Sequence, residues 1–249
     1  MAKEMLLEGL NPAVAGRISP FIAEIARDYS GNIHSVHIVG SAVTPDFKEK
    51  TSVIHSVIIL NKMDFGFIRY IASLGKKYRK KGIAAPLIMT PDYIKSSLDV
   101  FPVEFHDFRL IHKTVLGEDI LGGLPIEPEH LKLQCEREVK ARLVGLRQSY
   151  ISSLGEKGLL VDFLSQSVVG CMPLLRAVIY LHGKEPPVKR HDAIRTLQEM
   201  TSINAGIFEK LLLLRAGAVK LSGEELHKTF EQYYEVLESI DKIIDELQP

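Results

Sequence analysis

The period of the hydrophobic positions changes about halfway along the chain, and the change divides the sequence in two. In the first part, Pro12 to Tyr29 reads as a helix closed by the turn formers Ser30, Gly31 and Asn32. Ile33 to Val39 follows, with apolar residues at 36, 38 and 39 that suit a buried strand stopped by Gly40 and Ser41. Ser52 to Leu60 (SVIHSVIIL) is rich in Val and Ile and reads as a second strand, with a helix after it from Asp64 towards Lys81. Ile83 to Met89 is a third strand candidate. Thr90, Pro91 and Asp92 place a capping residue and a proline where a short helix through Leu98 can start. Phe101 to Phe108 (FPVEFHDF) then reads as extended sequence with proline near its start. This α/β unit ends near Gly122 and Gly123.

From Glu129 onward the spacing is helical. Leu131, Cys135, Val139, Leu143, Leu146, Tyr150 and Leu154 trace one stripe of a long amphipathic helix. A second helix is expected after Gly155 and Gly158, running to about Leu181. The proline turn HGKEPPV precedes helices near His191 to Glu199 and Ile203 to Leu214, in which Leu211 to Leu214 are core positions. Ser222 and Glu225 have the spacing of a capping box for a last helix that runs to Leu247. About four or five such helices make a bundle. The predicted fold class is therefore α+β: a mixed α/β domain over residues 1–124 followed by an all-α helical bundle over residues 125–249.

Composition narrows the function. The 249 residues carry 31 Lys+Arg against 31 Asp+Glu, so the basic excess that phosphate neutralisation demands is missing and nucleic acid is not an expected partner. Cys135 and Cys171 are too few and too far apart for a disulfide framework or paired zinc spacings, which makes a reducing cytoplasm the expected home. No stretch reaches the ~20 apolar residues of a membrane span, and the N-terminal segment has no signal-peptide core.

The sharpest local signal is a strand that ends in Gly40-Ser41, then a loop of about ten residues, then a second strand opening at Ser52. Glycine at such a turn lets backbone N–H groups and a hydroxyl come close to a phosphate. The arrangement resembles the nucleotidyltransferase superfamily, whose signature is strand, Gly-Ser, loop, and a strand opening with Ser-Asp-x-Asp; the matching positions are Gly40, Ser41, Ser52, Val53, Ile54 and His55. FPVEFHDFRLIHKTVLGEDIL extends the likeness to bacterial members that join this domain to a helical one: FPVEF looks like their third-carboxylate strand and Leu116 to Asp119 like a characteristic turn.

The resemblance implies two carboxylates at i and i+2 on one strand face, sharing Mg²⁺ ions with a third from a neighbouring strand. This chain has Val53 and His55 at the first two positions and Glu104 at the third. A side chain with no ligand atom and a neutral imidazole are poor holders of a hard cation, so the catalytic centre reads as degenerate, Glu104 being its one remaining candidate. The reading is then a nucleotidyltransferase-like protein with a binding or regulatory role, holding a nucleotide or other phosphate ligand at Gly40, Ser41 and Ser52 and needing Mg²⁺ only if active. Two alternatives stand beside it. One is an active transferase with unconventional metal ligands, its acceptor side supplied by residues such as Gln134, Glu136 and Arg137. The other is a metal-independent ribonuclease of HEPN type, which Arg176 and His182, separated by five residues, resemble in spacing. That reading needs a homodimer through the helical domain.

Other chemistry-bearing residues have plainer expectations. Asp46, in the loop near the pocket, and Asp107, on the opposite strand face from Glu104, are candidate replacements for the missing carboxylates, with solvated or capping roles the expectation for both. His34 and His37 fall on opposite faces of a regular strand, so a zinc set that includes them and His55 requires a bulge; hydrogen-bonded or surface roles are expected. The run Lys76 to Lys81 complements the negative end of a helix.

Overall fold

Helix α1 (Pro12–Tyr29) begins where Asn11 accepts the Ala13 N–H at 2.9 Å and Pro12 supplies a φ already suited to a first turn. Its buried residues, Val14, Ile18, Phe21, Ile22 and Ile25, recur at helical spacing and form one apolar face. That face joins a core with strands β1 (Ile33–Val39) and β2 (His55–Leu60) and helix α2 (Phe65–Arg79), through Val36, Ile38, Ile58, Leu60, Phe67, Ile71 and Tyr78. The computed structural model describes residues 4–247.

Three further elements precede the last strand of this unit: β3 (Leu87–Met89), α3 (Pro91–Ser96) and α4 (Pro102–Leu110). The last strand is β4 (His112–Gly117), and the sheet order is β3-β2-β1-β4. β1 runs antiparallel to both β2 and β4, and β2 runs parallel to β3. Register shifts lie between Ile33 and Ser35 against β2, and between Val36 and His37 against β4.

Two expectations are corrected here. The FPVEFHDF segment is helix, not strand: Pro102 takes the first helical position, Glu104 sits in the first turn where a carboxylate complements the positive end, and burial of Pro102, Val103, Phe105 and His106 does not alternate. The strand comes afterwards, at His112. The third strand is also shorter than its apolar run, because Ile83 makes only an isolated bridge to Ile54 before Leu87.

The chain forms two compact units, Met1–Pro125 and Ile126–Pro249. The second is all helix: α5 (Pro128–Ser152), α6 (Lys157–Ser167), α7 (Cys171–Leu181), α8 (Arg190–Thr201), α9 (Gly206–Arg215) and α10 (Gly223–Glu246). Six helices among the described residues exceed the expected number because Gly170, at φ +72°, breaks the single helix foreseen up to Leu181. The stripe of α5 leaves the core after Leu146, with Tyr150 37% and Leu154 83% exposed. Both halves of the capping box form at Ser222 and Glu225. Lys140 joins α5 to α10 through Asp241 at 2.7 Å and Asp245 at 3.1 Å. Cys135 and Cys171 are buried free thiols, and no single helix among the described residues is long and apolar enough to cross a membrane.

Two close approaches fix the strand ends. Arg17 of α1 donates to the carbonyls of Lys81 (2.7 Å), Gly82 (2.9 Å), Glu49 (3.4 Å) and Ser52 (3.4 Å), tying the turn after α2 and the loop before β2 to one side chain. Gly117, at φ +77°, lies against Ser35, and a Cβ there would stand 2.2 Å from the His34 carbonyl oxygen. Gly117→Ala is expected to lower the free energy of urea unfolding by more than about 2 kcal/mol, since backbone must move to relieve it. Gly75→Ala, in α2 with nothing near its Cβ position, should stay neutral or gain up to about 1 kcal/mol.

Candidate functional site

β1 delivers the chain to a tight turn. Gly40 adopts φ +70° and opens a 3₁₀ turn, Gly40–Val43, whose Ser41 carbonyl accepts from the Thr44 N–H and hydroxyl, both at 3.2 Å. Thr44 Oγ1 in turn accepts the Asp46 N–H at 3.2 Å. Gly40 and Ser41 are each half-buried. Ser52 is occupied in the loop itself: its hydroxyl accepts the Lys48 N–H at 2.9 Å and its N–H donates to the Lys48 carbonyl at 2.8 Å.

Val53 is 42% exposed and His55 is exposed, while Ile54 between them is buried, the alternation of an extended chain. These two exposed positions therefore carry no carboxylate where β2 begins. β3 contributes none either, since it consists of Leu87, Ile88 and Met89 and pairs Leu87 with Val57. Glu104 is in α4, with Asp107 one turn along and on the same side of the helix rather than across a strand.

The polar chemistry of the sheet gathers instead on β1 and β4. Residues opposite one another in an antiparallel pair share a face, so His37 and Thr114, and Val39 with His112 and His55, lie on one face; Val36, Ile38 and Val115 belong to the core on the other. His37 is fully buried. Its Nε2 is 2.8 Å from Ser35 Oγ and its Nδ1 2.9 Å from Thr114 Oγ1, so hydroxyls hold both ring nitrogens. The His112 ring meets it edge to face at 5.9 Å.

His112 Nε2 lies 3.0 Å from Asp119 Oδ1, which also accepts the N–H groups of Leu121 at 3.1 Å and Gly122 at 3.0 Å. Burial pulls the Asp119 carboxyl upward, but the Gly122 amide and His112 outweigh it and hold the group below its ordinary range. His112 Nδ1 is buried without a hydrogen-bond partner, an arrangement that costs about 1–3 kcal/mol. Ligand atoms of His37, His112 and Asp119 all lie within 4.8 Å of one another.

His34, at the edge of this cluster, places Nδ1 3.2 Å from Ser35 Oγ and Nε2 3.7 Å from Glu118. The bulge that a histidine cluster required is present, but the partner of His37 comes from β4 and not from His34 or His55. His112 and Asp119 escaped sequence reasoning because β4 was hidden behind a helix read as a strand. The β-branched Thr114 and Val115 between His112 and Asp119 were the available signal.

The remaining candidates have structural work. Arg176 is 6% exposed and donates from Nε to the Pro187 carbonyl (3.1 Å) and from a terminal nitrogen to that of Val188 (2.9 Å). His182 Nδ1 sits 2.8 Å from the Val178 carbonyl at the end of α7. Arg176 and His182 thus serve a loop and a helix end. Gln134 is buried and donates to Glu138 at 2.7 Å, and Glu136 pairs with Lys140 at 3.5 Å. In the basic run, Lys77 pairs with Glu24 at 2.6 Å, and the Tyr78 hydroxyl bonds Glu24 and Pro20. Lys76, Arg79 and Lys80 line a cavity of about 1020 Å³ with Phe21, Val53, Ile71 and Tyr78; neither Gly40, Ser41 nor the histidines reach it.

Burial, and then the neighbouring His112, push His37 down to about 4, with Asp119 opposing. Its ordinary value is 6.5, so below that pH the unfolded chain takes up a proton that the folded chain refuses until pH 4. The neutral ring costs nothing above pH 6.5, and stability should fall by about 3 kcal/mol as pH drops from 6.5 to 4. Unfolding curves in chelator-containing buffer across this range should show that loss in the wild type and a shallower slope in His37→Gln.

A solved structure shares this fold. The spectinomycin adenyltransferase AAD(9) from Enterococcus faecialis, solved with ATP and spectinomycin, superposes with a TM-score of 0.53 at 11% identity, covering 90% of this chain and 98% of that one. A nucleotidyltransferase-like protein from Exiguobacterium sibiricum gives a TM-score of 0.38 at 11% identity over 88% of this chain and 73% of that one, and adds nothing to the argument. No family model matches the sequence, and no curated protein matches it. The chain has a nucleotidyltransferase-like α+β fold followed by a helical region.

Proposed function

We propose that this chain is a nucleotidyltransferase-like binding protein that takes a nucleotide or other phosphate ligand at the Gly40-Ser41 turn and does not carry out metal-dependent transfer. The observation that carries the reading is the exposed side where β2 begins, occupied by Val53 and His55, beside a β3 with no carboxylate. Nucleotidyl transfer of that type needs Mg²⁺ to bridge phosphate oxygens and neutralise charge in the transition state, and Mg²⁺ takes oxygen ligands in near-octahedral array. Glu104 in the first turn of α4 is no part of a strand cage. What favours a retained ligand is the turn itself, where Gly40 at φ +70° allows close backbone approach.

Calorimetric titration of the full chain with ATP, GTP, CTP and UTP, each with and without Mg²⁺, tests this. Binding of at least one nucleotide is expected, with an affinity that Mg²⁺ changes by less than about twofold, or roughly 0.4 kcal/mol. Gly40→Val should abolish it, and Val53→Asp with His55→Asp should make it Mg²⁺-dependent. Tight Mg²⁺-dependent binding by the wild type, or pyrophosphate release above background, would return an active transferase to first place; absence of any binding would remove the ligand.

A further inference from the structure

We infer that His37, His112 and Asp119 form a binding site for a zinc-type divalent cation, set on β1, β4 and the loop after β4, on the side of the sheet order away from β3, and independent of the nucleotide reading. The residue types are the first argument. Two imidazoles and one carboxylate are a borderline N₂O donor set that suits zinc and its transition-metal neighbours and does not suit Mg²⁺ or Ca²⁺, which take oxygen.

Spacing is the second argument. Ligand atoms of the three residues lie within 4.8 Å of one another, and the His112–Asp119 pair is already at 3.0 Å. Around tetrahedral zinc, bonds of about 2.0–2.2 Å put neighbouring ligand atoms about 3.3–3.6 Å apart. The remaining separations, at most 4.8 Å, need close by no more than about 1.5 Å, which rotation of the His112 ring or of the half-exposed Asp119 carboxylate can supply.

The surroundings are the third. Metal-bound histidine keeps its ring orientation through a hydrogen bond from the nitrogen that does not bind. His37 has a hydroxyl at each nitrogen, Ser35 and Thr114; the metal displaces one of them, and the other stays as the partner of the nitrogen that does not bind. Asp119 is oriented by the N–H groups of Leu121 and Gly122.

Exposure completes the picture. His37 is fully buried, the His112 side chain is 11% exposed and that of Asp119 52%, so the set opens towards solvent on the aspartate side. Three protein ligands with one open position leave room for water or a ligand donor atom.

The test uses the full chain stripped with a chelator and dialysed. Titration with Zn²⁺ should show one saturable tight site per chain, and Co²⁺ should give the intense visible absorption of a four-coordinate centre. Asp119→Asn, which keeps an oxygen for the Leu121 and Gly122 N–H groups, should weaken Zn²⁺ at least about tenfold, and His112→Gln likewise. His55→Ala, which alters an exposed histidine on the same face, should leave affinity unchanged. Circular dichroism and melting curves of each variant identify any that fail to fold; should His112→Gln be one, Asp119→Asn decides. Absence of saturable Zn²⁺ binding, or wild-type affinity in a folded Asp119→Asn, would overturn the site, as would loss of binding in His55→Ala alone.

Discussion

The register of β1 against β4 is the constraint on which the first unit depends. β1 is hydrogen-bonded on both edges, and its residues must supply an apolar face to the helices and a polar face away from them at the same time. Because side chains alternate, a slip by one residue would send His37 into the core and Val36 out of it. The register shift between Val36 and His37 absorbs one residue and lets both pairings hold. Gly117 makes the shifted register possible, since its positive φ and missing side chain admit the backbone of His34 and Ser35.

This also explains why the site lies where it does. β2 offers no carboxylate at its exposed start, yet the fold leaves a polar face on the neighbouring pair of strands. A buried histidine held by two hydroxyls, next to a second histidine with an unpartnered nitrogen, is a poor way to stabilise a sheet that Val and Ile would stabilise better. Groups of that kind persist in a fold when something other than stability retains them.

Much of the fold was legible in the sequence. α1 and β1 were readable to the residue because the Ser30-Gly31-Asn32 turn separates them and Gly40-Ser41 ends the strand, and α10 because Ser222 and Glu225 announce its start. The FPVEFHDF segment misled because a proline near its start suits an edge strand as well as a first helical turn, although Phe101, Phe105 and Phe108 recur at helical spacing and burial of Val103 and Phe105 agrees with it. The turn at Gly40 and Ser41 was visible for the same reason as the caps. The histidine cluster was not, because His37 and His112 meet through strand pairing across most of the unit, and no local spacing encodes which strand neighbours which.

Arg17 adds a consequence for whatever binds beside it. By grasping carbonyls at Glu49 and Ser52 from one side and Lys81 and Gly82 from the other, it removes most of the freedom that a polar loop of this length would have in isolation. The disorder of the loop is therefore lost once, during folding, and not again at each association. A ligand that settles against the segment between the 3₁₀ turn and β2 meets walls already in position, so its affinity is set by contacts and desolvation, with little conformational entropy left to surrender.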